Sequence, residues 1–373
     1  MEQHPQTPVR SDRKSAPPTR RVVVLWNRMS GYLNACLRFL AVEGAVEVAL
    51  AYRVEHSEAP YDADQFKWLQ DQYRWDRDPD PGEVGRLVFD QRTDAVLISG
   101  WQIRGYRAVL RELGRRRIPR ILCMDNQWRG TPKQWLGRAS RGLYIQPFFD
   151  TAFVPGDRQA RFARVLGFRE QHLMRGLYCA DTAAFAVPAD WKGQREPAFL
   201  FTGRLSAEKG IDVLADGYRR YRSSVDAPWP LRVAGIGPHS RALAEVDGVD
   251  MLGFLQPADL PKAMWSATAA VSPGIFEPWG VAIHEATAAG LPVICSEEAG
   301  AGVHLVQDGY NGYVVPTGNG VQLAKAMRTL SLLPPDRLKE MASASVSLSL
   351  QFSAKRWAQY VTGMLEWDDE QPR

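Results

Sequence analysis

"AFLFTGRLSAEKGIDVLADGYRRY", Ala198 to Tyr221, sets an apolar run, a glycine loop and an amphipathic run end to end. Phe199 to Thr202 has the length and composition of a short buried strand. From near Gly210, Ile211, Leu214, Ala215 and Tyr218 fall on one face at helical spacing. Gly203 closes the strand, and Arg204 and Lys209 flank the loop that follows it. Where such units build a parallel sheet, ligands bind beyond the carboxyl ends of the strands. Two cations in that loop suit a diphosphate, Arg as a planar fork and Lys as a point charge.

The same unit recurs on both sides of this stretch. Downstream, "LRVAGIG", "DMLGFL", "AAVSPG" and "LPVICS" alternate with "DLPKAMWSA", "GVAIHEATAAG" and "GVQLAKAMRTLS". Upstream, "RVVVLW", "VEVALAYR", "DAVLISG", "RILCMD" and "TAFVPG" alternate with "SGYLNACLRFLA", "YRAVLRELGRR" and "RQARFARVLG". Strand and helix in alternation predict an α/β protein of two Rossmann-like, doubly wound parallel sheets facing a cleft. The apolar rhythm lapses in "DTAAFAVPADWKGQREP", which marks a linker at 182–195. The expected plan is a basic, Pro-rich disordered tail at 1–20, a first domain at 21–181, and a second at 196–350. A C-terminal helix at 351–368 is expected to pack back on the first domain. Strand-end loops carrying candidate chemistry are "RMSGY" with Gly31, "SGWQIR" with Trp101 and "DNQWRGT" with Trp128 and Arg129. In the second domain they include "GIGP" with Gly235 and "PGIFEPWG".

Composition bounds the rest. The 373 residues are 45% hydrophobic and carry a formal charge of +4, enough for two ordinary cores. No apolar run reaches the length needed to span a bilayer, and the first twenty residues lack the apolar middle of a signal peptide. A cytoplasmic protein is expected. Cys36, Cys123, Cys179 and Cys295 are far apart in sequence, which suggests neither a disulfide framework nor a zinc site. Residues 1–180 hold 29 basic and 20 acidic residues, an excess of +9, which leaves the remainder at −5. Arg104, Arg107, Arg111 and Arg115 line one helix face, which suits either plain solvation or peripheral contact with an anionic membrane or acidic acceptor.

"FEPWGVAIHE", Phe276 to Glu285, places two carboxylates eight positions apart around a Pro-Trp-Gly corner. Pro278 fixes the chain before a helix that starts near Gly280 and Val281, where first-turn amides favour an anion. Glu285 lies four residues beyond Val281 on the same face, and Glu277 precedes the corner beside Trp279. Carboxylates on either side of a phosphate site can each accept hydrogen bonds from hydroxyls. A paired-carboxylate hydrolase is the other chemistry for such residues, but it has no use for an anion site.

"TGRLSAEKG", "PGIFEPWGVAIHEATAAGLPVI" and "GYNGYVV" resemble the donor-binding half of the family-four retaining glycosyltransferases of GT-B architecture. The resemblance covers most of residues 196–330 and is thinner in the first domain, where strand order and "GLYCAD" carry it. It implies that Glu277 contacts donor-sugar hydroxyls and that Gly280 and Val281 present amides to sugar and phosphate. Glu285 would hold the ribose, Arg204 and Lys209 the diphosphate, Phe254 the nucleobase, and Gly31 would close on the pyrophosphate. Gly203, Gly235 and Trp279 belong to the same donor loops. In that family the acceptor attacks the face the diphosphate leaves, a phosphate oxygen takes its proton, and no metal or other cofactor is required. The implied partners are a nucleotide sugar, linked to UDP or GDP, and a sugar or lipid-linked acceptor, in glycan, glycolipid or polysaccharide assembly.

One departure stands out. Many relatives carry a His at the end of a first-domain strand, and this chain has Asp125, which either orients a hydroxyl or caps its own loop. Trp128 offers a ring face, and Arg129 and Trp101 join it as acceptor-side candidates. The acids Asp76, Asp78 and Asp80 of "WDRDPDPGE" are read as solvated loop rather than metal ligands. The rival readings are a GT-B epimerase or phosphorylase, a silent scaffold, and a nucleic-acid-binding protein. The first lacks clustered acids and His in the first-domain loops, the second contradicts the intact Glu277, Glu285, Arg204 and Lys209, and the third lacks aromatics interleaved with the Arg stripe.

Overall fold

Strand β1 (Arg20–Arg28) shows why the first sheet is buried on both faces. Val23 and Leu25 enter one apolar cluster and Val22 and Val24 the other, as period-two alternation requires when helices cover both sides. The computed structural model describes residues 20–54 and 67–370. Of the segment assigned to a tail, Arg20 instead opens β1, and 1–19 lie outside the described residues.

Six further strands complete this sheet: β2 (Val46–Arg53), β3 (Gln72–Trp75), β4 (Ala95–Ser99), β5 (Arg120–Cys123), β6 (Thr151–Val154) and β7 (Leu173–Arg175). The order is β3-β2-β1-β4-β5-β6-β7, with every pair parallel. The second sheet has β8 (Phe199–Thr202), β9 (Leu231–Ala234), β10 (Val249–Gly253), β11 (Ala269–Ser272), β12 (Val293–Ser296) and β13 (Gly312–Val315). It is also wholly parallel, in the order β10-β9-β8-β11-β12-β13. Phe199 and Phe201 face one core cluster and Leu200 the opposite one.

The chain crosses between domains twice. In the segment 182–195, Asp181 caps a short helix, Thr182–Phe185, whose Phe185 is buried in the second-domain core. The chain returns through the helix Ala354–Glu370, which lays Trp357, Val361 and Leu365 into the first-domain core. Trp357 Nε1 donates to the Leu177 carbonyl at 3.1 Å. His284 fastens the crossing: its Nδ1 accepts from the Ala180 amide at 2.9 Å, and Nε2 lies 3.0 Å from the Ser349 carbonyl. An imidazole held between an N–H and a C=O must be neutral, and burial drives its pKa down to about 4.

One sequence expectation needs correction, and two features of the fold have no counterpart in the sequence reading. Asp80 is not solvated loop: its carboxylate accepts from the Glu83 amide at 2.9 Å and caps the helix Pro81–Phe89, because Asp-Pro-x-Glu is itself a helix-start signature. Cys36 and Cys179, distant in sequence, are spatial neighbours whose thiol sulfurs lie 3.2 Å apart. Strand β3 was not anticipated, since "QYRW" at a sheet edge has no apolar run to betray it.

Candidate active site

The strand order of each sheet reverses beside its first strand, between β1 and β4 and between β8 and β11. Connections leave such a switch point in opposite senses and open a crevice at the carboxyl ends. In the second domain the crevice is walled by the loop 203–210 after β8 and the loop 273–280 after β11. The amides of Ile275 and Phe276 donate to the Glu208 carbonyl at 2.9 and 3.1 Å. Gly210 permits this approach: its φ is +69°, and a Cβ there would stand 2.2 Å from the Pro273 carbonyl oxygen. Lys209 Nζ then reaches across and donates to Glu277 Oε2. Glu277 is largely buried and Lys209 half-buried, so the pair forms part of the wall.

Gly280, with φ +97°, ends the loop, and the helix Val281–Ala288 begins there. A Cβ on Gly280 would meet Glu277 Cγ at 3.0 Å, so the helix start and the carboxylate share one corner. One turn further, Glu285 is half-buried, and burial pushes its carboxyl up to about 7. Among the described residues that carboxylate has no hydrogen-bond or ion-pair partner. It is therefore an acceptor ready for ligand hydroxyls. Arg204, at the other end of the β8 loop, pairs with Glu208 near solvent. An exposed pair of this kind is worth about 0–1 kcal/mol, so exchanging Glu208 for a phosphate costs little. Gly203 and Gly235 let the ends of β8 and β9 touch: a Cβ on Gly235 would lie 1.9 Å from the Gly203 carbonyl. Phe254 follows β10, at the edge of the same sheet.

The first domain contributes Asp125, just beyond β5. Tyr178 donates its hydroxyl to Asp125 Oδ2 at 3.3 Å. Burial above all raises the Asp125 carboxyl; the Tyr178 bond opposes that rise, and the negative charge of Glu277 across the cleft adds to it. Asp125 thus lies buried at the cleft, bonded to Tyr178 and to its own backbone and within electrostatic reach of Glu277. Tyr178 also packs edge-on against Tyr32, centroids 5.2 Å apart, beside Gly31 at the start of the helix Gly31–Val42. A Cβ on Gly31 would meet Pro257 of the second domain at 3.8 Å, so the two lobes nearly touch there.

Further residues bridge the lobes. The Arg129 guanidinium lies 4.6 Å from the Phe276 ring centroid, and Gln127 Nε2 donates to Glu298 Oε2 at 3.3 Å. Gln159 Nε2 donates to the Pro278 carbonyl, and the Asp157 amide to His304 Nε2 at 3.2 Å. Sequence reasoning gave no role to Tyr178, Gln127, Gln159 or His304. Tyr178 and Gln127 had a signal, their places inside "GLYCAD" and "DNQWRGT".

Two candidates are displaced. The Trp279 ring is only 2% exposed and packs on Phe352 and His304; the turn into the helix aims it at the second-domain core, not at a donor. Trp128 is wedged between Trp135 and Phe162, at 5.2 and 5.7 Å, which leaves it packing rather than forming an acceptor platform. Trp101 lines a separate first-domain cavity of about 260 Å³ with Met124, Asn126 and Lys133. Among the described residues no cluster of three or more His, Cys, Asp or Glu is set to hold a metal ion.

Residues 196–332 match the family described as Glycosyl transferases group 1. The chain is 33% identical over 147 residues to a phosphatidyl-myo-inositol mannosyltransferase of Mycobacterium leprae, covering 38% of each. It is 35% identical over 117 residues to a GDP-mannose-dependent alpha-mannosyltransferase of Corynebacterium glutamicum, covering 31% of this chain and 26% of that protein. The chain thus spans 26–38% of the length of these two relatives. The fold matches Anabaena HepE, solved with UDP and glucose, at TM-score 0.71 and 17% identity over 93% of this chain and 99% of that one. It matches a Rickettsia africae glycosyltransferase at TM-score 0.76 and 12% identity over 95% and 100%. The sequence match at residues 196–332 is thus to the group 1 glycosyl transferases, and the two facing parallel-sheet domains have the GT-B architecture of the solved neighbours.

Proposed function

We propose that the protein is a retaining glycosyltransferase that moves a hexosyl group from a UDP- or GDP-linked sugar to an acceptor hydroxyl. The observation that carries this is the corner where Lys209, Glu277, the Gly280 helix start and Glu285, unpartnered among the described residues, meet at a switch point. Glu285 accepts from the ribose hydroxyls, whose donation offsets the burial of its charge. The diphosphate lies against Lys209, Arg204 and the first-turn amides of the helix that opens at Gly280, all of which favour its growing negative charge as the glycosidic bond breaks. Those groups supply the charge that a divalent ion would otherwise contribute, and transfer is expected to be metal-independent. Glu277, held by Lys209, and Asp125, held by Tyr178, flank the sugar from opposite lobes and orient its hydroxyls. The acceptor enters from the first domain, and a phosphate oxygen of the leaving group takes its proton.

The GDP-mannose dependence of one relative and the UDP bound to one structural neighbour support the donor class. Incubation with UDP- and GDP-sugars in the presence of a chelator tests the reading. Release of one nucleoside diphosphate, stimulated by a sugar or lipid acceptor and giving a product with the donor's anomeric configuration, is the expected result. Interconversion of the donor sugar without release would point to an epimerase instead.

A further inference from the structure

The segment between Asp125 and Asp150 contains no acidic residue, and Arg129, Lys133, Arg138 and Arg141 give it four positive charges. It folds as two consecutive surface helices, Pro132–Ala139 and Arg141–Tyr144, and neither buries a single residue. The first is firmly built: Thr131 and Gln134 form a reciprocal capping box, and Gln134 Nε2 also donates to the Gln127 carbonyl at 2.7 Å. A surface helix normally hides its apolar stripe against the core. These instead leave Trp135 50%, Leu136 69%, Leu143 73% and Tyr144 48% exposed. Cations are interleaved with them. The Arg138 guanidinium sits 5.0 Å from the Trp135 ring centroid, and Arg107, from the neighbouring Arg-lined helix Arg104–Arg115, sits 5.7 Å from that of Tyr144. Between the two helices lies an open concavity lined by Trp135, Arg138, Arg141 and Gln146.

We propose that this helix pair docks on the surface of an anionic lipid bilayer. The two leucines enter the acyl boundary, the Trp and Tyr rings sit at headgroup level, and the cations face lipid phosphates. A nucleic acid could pair with the cations and stack on the two rings but would leave Leu136 and Leu143 in water. The segment starts at Asp125 in the cleft, so docking holds the mouth of the site at the bilayer, where a lipid-linked hydroxyl can reach it. The choice of acceptor rests on the transfer reading; the docking does not.

Sedimentation of the full chain with phosphatidylcholine vesicles, with and without phosphatidylglycerol, tests the proposal directly. Binding is expected only where phosphatidylglycerol is present. It should weaken about tenfold or more in K133E/R138E, at about 1 kcal/mol per charge, and also in L136S/L143S. These four side chains are exposed, so thermal melting should not change, and a folded variant that fails to bind is informative. Equal binding to both vesicle types, wild-type binding by both variants, no vesicle binding at all, or oligonucleotide binding in place of vesicle binding would each overturn it. Sedimentation uses no donor, so a chain that binds vesicles but no nucleotide sugar supports docking and sinks the transfer reading alone.

Discussion

Lys209 and Glu277, 68 positions apart in sequence, are joined by a hydrogen bond between ammonium and carboxylate that ties the β8 loop to the β11 loop. Lys209 is 28% exposed and Glu277 11% by side chain, so removing either partner strands a largely desolvated charge. Lys209→Met and Glu277→Gln should each cost about 1–3 kcal/mol, and the double variant should cost less than their sum. Chemical denaturation of the four proteins gives the coupling. Additive losses would mean that the pair does not hold the wall. The exposed pair Arg204–Glu208 is the control: Glu208→Gln should change stability by no more than about 0.5 kcal/mol.

Gly210 sets the distance between the same two loops. Gly210→Ala combines a left-handed backbone, costing about 1–2 kcal/mol, with a Cβ directed at the Pro273 carbonyl, a backbone atom with no rotamer to relieve it. The expected outcome is a lower melting temperature together with weaker nucleotide binding. A variant that melts and binds like the wild type would show that the loops are not locked together.

Neighbours His284 and Glu285 should respond to pH in opposite directions. The imidazole is held neutral with its pKa down at about 4, so its stabilisation is complete above about 6.5 and is lost as pH falls through 4, about 3 kcal/mol in all. Glu285 is raised to about 7, so its effect favours the fold at low pH and fades as pH climbs from about 4.5 through 7. Glu285→Gln should therefore leave stability rising with pH between about 4 and 6.5, whereas His284→Gln, though less stable overall, should leave it falling between about 4.5 and 7. Denaturation across that range reads the two slopes. Identical slopes in both variants would show that neither group titrates as its environment dictates.

Tyr178 donates to Asp125, whose carboxyl also feels the charge of Glu277. Asp125→Asn and Tyr178→Phe should leave nucleoside diphosphate affinity within about twofold while lowering transfer, the former by about 10²-fold or more, in the range seen when an oriented group at a reacting centre is lost. Calorimetry beside a transfer assay separates the two effects. Full turnover in Asp125→Asn would remove it from the sugar's environment.

The loops that make this site were readable because strand, glycine and amphipathic run follow one another locally, as at Phe199, Gly203 and Ile211. The two carboxylates were readable from their spacing around Pro278 and Gly280. What escaped depended on the other lobe or on side-chain direction. No local pattern says that Trp279 turns inward onto Phe352, that Trp128 is wedged between Trp135 and Phe162, or that Lys209 meets Glu277. Tyr178 and Gln127 matter through contacts with residues far along the chain, which a single sequence does not record. Asp80 is a different case: its cap signature is present in "DPGE", set within Pro-rich composition that otherwise reads as loop.

The most direct test of a nucleotide sugar seated at the Lys209–Glu277–Gly280–Glu285 corner is calorimetric titration of UDP and GDP into wild type, Glu285→Ala and Glu277→Ala, with a chelator present. Saturable binding of one nucleotide is expected, weakened about tenfold or more in Glu285→Ala through loss of the ribose acceptor and preserved in Glu277→Ala. Failure of both nucleotides to bind the wild type, or equal affinity in all three proteins, would contradict it.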